Sequence, residues 1–157
     1  INDIKKVETK IVAPFELDDK IKGIGFKEEK KLFVNSNQDY EIEGIECQTI
    51  PAYNTNKQFH KKEFNWVGYL IKIDEKKIYI AGDTDDIEEA RNINVDIAMV
   101  PIGGTYTMNY AEAAEFVKKI KPKIAIPIHY KAIVGSEEDA IKFKELLKDI
   151  VEVEILM

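Results

Sequence analysis

"KKIYIAGDTDD", Lys76 to Asp86, joins an apolar run to a cluster of acids. Ile78 to Ala81 read as a buried strand that Gly82 stops. A carboxylate, Asp83, follows at once, with Asp85 and Asp86 close behind. Two later apolar runs end just as abruptly. "VDIAMVPIGG", Val95 to Gly104, closes on a glycine pair, and "KIAIPIHY", Lys123 to Tyr130, closes on His129 and Tyr130. Between these two runs the spacing predicts a helix over Asn109–Ile120. Asn109 caps it with Glu112 three residues on, Ala113, Phe116, Val117 and Ile120 form one stripe, and Pro122 ends it. Ile87, Ala90 and Ile93 mark a shorter helix. Ser136, with Asp139 three residues on, opens a last one striped by Ala140, Phe143, Leu147 and Ile150. Strands alternating with helices build parallel sheets. Ligands gather at the carboxyl ends of such strands. Parallel strands would bring Asp83, the Gly103–Gly104 pair and His129 to one edge.

Upstream, the pattern is different. "KIVAPF" reads as a strand stopped by Pro14, and "ELDDKIKGIG" as a weak helix or loop. "KLFV", "YEIEG" and "IECQTIP", separated by turn residues, predict a meander of antiparallel strands. Ala52 to Asn65 lacks periodicity and reads as a long loop, a kind of segment that is often functional. "WVGYLIKID" and "KKIYIAG" form a hairpin through a turn around Asp74–Lys76, and "VEVEILM" is a final strand. Asn2 to Glu8 reads as a short helix on Ile4 and Val7. The expected class is therefore α/β (α+β), a meander followed by alternating strands and helices, in one domain over residues 1–157.

Composition narrows the function classes. The 157 residues suit one domain with a sizeable core. A net charge of −6 argues against non-specific nucleic-acid binding. No apolar run approaches the ~18–20 residues of a membrane span. There is also no signal-peptide pattern, so the expected compartment is the cytoplasm. Cys47 stands alone and reads as a buried small residue, not a nucleophile. The chain has no phosphate loop, no nucleophile elbow and no EF-hand spacing. A small molecule is the expected partner.

Asp83 and His129 suit a divalent ion such as zinc, manganese or iron(II). Such an ion lowers the pKa of bound water to about 7 and makes a hydroxide nucleophile. Taken singly, Asp83 also reads as a helix cap and His129 as a satisfied structural histidine. These two readings compete with the metal one. The chain holds only two histidines. The other, His60 in "NTNKQFHKKEF", reads first as part of a solvated, lysine-rich loop. The alternative brings it to the metal edge, with Lys57, Lys61 and Lys62 drawing in an anionic substrate. Trp66 and Tyr69 read as strand residues in the core or covering an edge.

From about Ile45 to the C-terminus, the chain resembles the later part of metallo-β-lactamase-fold hydrolases. The resemblance rests on "WVGYLIKIDEKKIYIAGDTDD", "VDIAMVPIGGTYTMNYAEAAEFVKKIKPKIAIPIHY" and "VGSEEDAIKFKELL". The branch it is most similar to is the UPF0173/ascorbate-phosphate-lactonase-like metal-dependent hydrolases, and "PAYN" resembles that branch's segment before a mobile loop. The resemblance implies an αβ/βα sandwich and a metal-bound hydroxide attacking an ester, lactone or phosphoester. It makes Asp83 a metal-bridging aspartate and His129 the last histidine ligand. Asn54 stands where relatives can carry a ligand histidine, and His60 matches a loop histidine of unassigned role. The family's H-x-H-x-D-H motif, which supplies most ligands, does not occur in this chain. The opening at Ile1, with "INDIKKV" similar to the helix after that motif, leads us to expect a chain without the N-terminal portion, inactive by itself. Its missing segment or a second copy would then be a partner. The competing expectation is a non-catalytic remnant acting as a binding or structural module.

Overall fold

Residues 8–156 are described by a computed structural model, so the helix expected from Asn2 falls, but for Glu8, outside them. In chain order the elements are β1 (Ile11–Pro14), α1 (Asp18–Gly23), β2 (Lys31–Val34), β3 (Asp39–Ile42), β4 (Ile45–Pro51), β5 (Val67–Ile73), β6 (Lys76–Ile80), α2 (Glu88–Arg91), β7 (Ile97–Pro101), α3 (Tyr110–Ile120), β8 (Ile124–Ile128), α4 (Glu137–Leu146) and β9 (Glu152–Val153). Seven strands form one sheet in the order β3-β4-β5-β6-β7-β8-β9. The pairs from β3 to β6 are antiparallel and those from β6 to β9 are parallel. The expected parallel half is therefore present.

Local chemistry explains most element ends. Asn109 Oδ1 accepts from the backbone N–H of Ala111 and Glu112 at 2.9 and 3.0 Å, and the Glu112 carboxylate accepts from Asn109 N–H. This reciprocal cap satisfies donors that a helix start leaves free. Ser136 and Asp139 repeat the device at α4. The β5–β6 hairpin turns through Asp74 and Glu75, both with positive φ, the backbone sense that matches strand twist.

Three expectations change. β2 does not join the meander but pairs in parallel with β1 as a separate two-stranded sheet. The crossover through α1 buries Ile21 against Ala13 and Phe26, a pairing that a local pattern cannot reveal. The final strand is only two residues long, because β9 pairs with Ile124 and Ala125 alone. Ile150 is exposed, not buried, since α4 ends at Leu146 before the stripe reaches it.

The sheet has two unlike faces. On one, Tyr79, Ala98, Val100, Ala125 and Val153 pack against Phe116 and Val117 of α3 and Phe143 of α4. Alternate residues point the other way. There Ile71, Ile78, Ile97 and Ile124 align in one row across four strands, and Tyr69, Ile80, Met99 and Ile126 in the next. These residues are only half-buried.

Candidate metal centre

The loop after β6 assigns each side chain of "GDTDD" a different direction. Gly82 takes φ +68°, which turns the chain at the strand end. Asp83 then points to the sheet edge. Thr84 turns inward, fully buried, and its hydroxyl accepts from Tyr53 N–H at 3.2 Å. Asp85 is buried beneath the loop that bears Asn54, Thr55 and Lys57. Asp86 reaches Arg91 of α2 at 2.7 Å and also bonds Lys119 of α3. Asp83 is not a helix cap, because Ile87 occupies the N-cap of α2 and no side chain caps it.

The Asp83 carboxylate sits between two imidazoles. His129 Nδ1 lies 2.6 Å from Oδ1, and His60 Nε2 lies 3.3 Å from Oδ2. His129 stands directly after β8 with φ +56°, a backbone state that costs a non-glycine residue about 1–3 kcal/mol and concentrates at functional sites. Its hydrogen bond holds the Asp83 carboxyl below the usual carboxylate range. Partial burial pulls the other way, and the charges of His129 and His60 add to the lowering. The same bond raises the His129 imidazole above its ordinary value, against some desolvation.

His60 overturns the preferred loop reading. Its side chain is only 12% exposed and faces Asp83, with the Trp66 ring 5.4 Å away. Long-range hydrogen bonds, not periodicity, carry it there. Asn54 N–H donates to the His60 carbonyl at 2.7 Å, and Asn54 Oδ1 accepts from His60 N–H at 3.0 Å. The Asn54 amide also donates to the Tyr106 carbonyl and to Asp85. Asn54 is thus buried and fully engaged in holding the loop that bears His60. Asp85 anchors the same loop, accepting from Thr55 N–H at 2.9 Å and from Lys57 Nζ at 2.9 Å. Two of the three loop lysines are likewise engaged: Lys57 pairs with Asp85 and Lys62 with Glu89. Asp85 and the Tyr106 carbonyl escaped the sequence reading. Only the acid-rich spacing of "GDTDD" hinted at the first, and no side-chain signal marks a carbonyl. Trp66 lies just before β5, and Tyr69 is in that strand, its hydroxyl donating to the Val12 carbonyl. Cys47 is buried, and burial pushes its thiol up, as expected of an inert residue.

The donors fit a divalent cation in kind. His60 Nδ1 lies 3.1 Å from the Tyr106 carbonyl, which can only accept, so Nδ1 carries the proton. In the neutral ring that leaves the Nε2 lone pair facing a carboxylate oxygen, a repulsive pairing that a cation between them relieves. A backbone carbonyl fixing an imidazole in this way is a usual support for a metal ligand. In number the donors fall short. Among the described residues no group of three or more His, Cys, Asp or Glu is spaced to hold a metal ion. The two imidazoles instead meet separate oxygens of one carboxylate.

Relatives share this architecture. The family model for a β-lactamase superfamily domain matches residues 7–129. The UPF0173 metal-dependent hydrolase of Pyrococcus horikoshii is 34% identical over 152 residues, covering 94% of this chain and 67% of that protein. Its counterpart in Thermococcus onnurineus is 36% identical over 121 residues, 74% of this chain and 54% of the relative. The chain therefore spans between half and two thirds of the length of these curated relatives. Among solved structures, a Parabacteroides distasonis protein described as a metal-dependent hydrolase superposes with a TM-score of 0.82 at 28% identity, over 99% of this chain and 67% of that one. YhfI of Bacillus subtilis, at 12% identity and a TM-score of 0.71 over 99% of this chain and 64% of its own, shares the metallo-β-lactamase fold. The chain belongs to the β-lactamase superfamily, among the UPF0173 metal-dependent hydrolases.

Proposed function

We propose that the chain supplies part of the active site of a metal-dependent hydrolase acting on an ester, lactone or phosphoester of a small molecule. The observation that carries this is the Asp83 carboxylate flanked by His129 and His60 at the carboxyl ends of parallel strands. Asp83 and His129, with His60 beside them, would supply part of the ligand set of a divalent ion, with zinc preferred over manganese or iron(II) for its affinity for imidazole and carboxylate. A bound ion supplies a water of lowered pKa and polarises the scissile bond. Asp83 contributes the negative charge, and the Tyr106 carbonyl keeps the His60 Nε2 lone pair turned to it. With two imidazoles in the whole chain, the remaining ligands have to come from elsewhere, so the chain alone is inactive. A lone, buried thiol accords with a cytoplasmic setting.

Calorimetry and metal analysis of the 157-residue chain test this. Zinc binding is expected to be weak and to disappear in Asp83→Ala; tight stoichiometric binding would refute the partial-site claim. In the intact protein, hydrolysis untouched by Asp83→Ala would sink the enzymatic role of Asp83. That outcome would favour the second reading, a non-catalytic binding module, to which the shortage of clustered ligands lends weight.

A further inference from the structure

We propose that the hollow beside Asp83 receives an apolar acyl, alkyl or aryl group of an uncharged ester or lactone, and that phosphoesters are poor ligands for it. This rests on the hydrolase reading above and narrows its substrate class.

The hollow has a volume of about 340 Å³, within the usual size range of small-molecule sites. One end is the Asp83, His60 and His129 group. Tyr106, Tyr130, Ala132, Ile133 and Val134 form most of the remainder. Ile133 is 87% exposed, an unusual state for a large aliphatic side chain that stands directly beside a polar centre. Tyr106, which also lines the hollow, is partly exposed too, its ring held edge-on by Phe59 at 4.8 Å. A substrate's apolar group would cover both surfaces.

Charge points the same way. Phosphate recognition calls for arginine, lysine or a cradle of N–H groups. Among the described residues, no lysine or arginine lines the hollow. Three lysines of the flanking segments are engaged elsewhere: Lys57 with Asp85, Lys62 with Glu89, and Lys131 with Glu137. The wall also packs closely on its support. A Cβ on Gly103 would stand 2.7 Å from Val134 Cγ2 and 2.4 Å from the His129 carbonyl oxygen. Only glycine lets the 131–135 segment pack this closely on the end of β7.

The test has a binding arm and a kinetic arm. Methyl-labelled isoleucine NMR follows Ile133 while the protein is titrated with hexanamide, an uncharged acyl probe, and separately with phenyl phosphate. Hexanamide should shift the Ile133 methyl, and Ile133→Asp, a change at an exposed position, should weaken that binding by about tenfold. Phenyl phosphate should leave the methyl unmoved. In the intact zinc-loaded protein, 4-nitrophenyl hexanoate should be cleaved in preference to 4-nitrophenyl phosphate. If hexanamide binds but neither chromogenic compound is cleaved, the hydrolase reading fails and the apolar site stands. Absence of the hexanamide shift, or preference for the phosphate, overturns the proposal.

Discussion

At the scale of the residue, the acids of "GDTDD" show how little a composition cluster says about roles. Asp83, Asp85 and Asp86 are near neighbours in sequence, yet one faces the site, one is buried under a loop and one pairs with two helices. Taken singly, Asp83 also read as a helix cap; sequence pointed to it because its strand end shares one inferred edge with that of His129. It could not sort Asp85 from Asp86, since Lys57 and Lys119, which pair with them, lie 28 and 33 positions away. Asp85 is the one whose loss should be felt most. Asp85→Ala leaves Lys57 and the Asn54 amide without their buried acceptor, and breaking such a pair costs about 3 kcal/mol. The expected outcome is a lower denaturation midpoint together with faster proteolytic cleavage between residues 55 and 61. An unchanged midpoint and cleavage pattern would show that the loop holds His60 without this anchor.

At the scale of the element, legibility tracks burial. β6, β7 and β8 were readable because strands in a parallel sheet are continuous apolar runs bounded by glycine or proline. α3 and α4 were readable because capping boxes and stripes are local patterns. The segment over residues 52–65 was readable as a loop but its shape was not, because that depends on Asn54, Asp85 and Tyr106, which lie far apart along the chain. For the same reason the β1–β2 pairing escaped the sequence reading. The junction of β7 with the segment after β8 offers a sharp check on this packing. Gly103→Ala would drive a methyl into the His129 carbonyl and Val134, and overpacking of this kind costs about 1–3 kcal/mol. Thermal unfolding should report the loss, and the His129 imidazole signals should shift with it. A variant with wild-type melting and an unmoved His129 would mean the backbone yields freely there.

At the scale of the whole molecule, the outstanding feature is the second face of the sheet. Its rows of isoleucine, with Tyr69 and Met99, run across four strands and remain half-exposed. Contiguous apolar surface of this kind promotes association. Light scattering of the 157-residue chain is therefore expected to show self-association at micromolar concentration, and a clean monomer would count against it. Among the described residues no helix is long and apolar enough to cross a membrane. The sequence by itself determined the alternation of strands and helices, the caps, and the meeting of Asp83 with His129, because each follows from local periodicity and from the rule that parallel strands end together. Tertiary structure alone decided that His60 joins them, that Asn54 and Asp85 serve the loop, and that Lys57 and Lys62 turn to other acids. Those outcomes depend on hydrogen bonds and ion pairs between distant positions, whose energies no local window of residues contains.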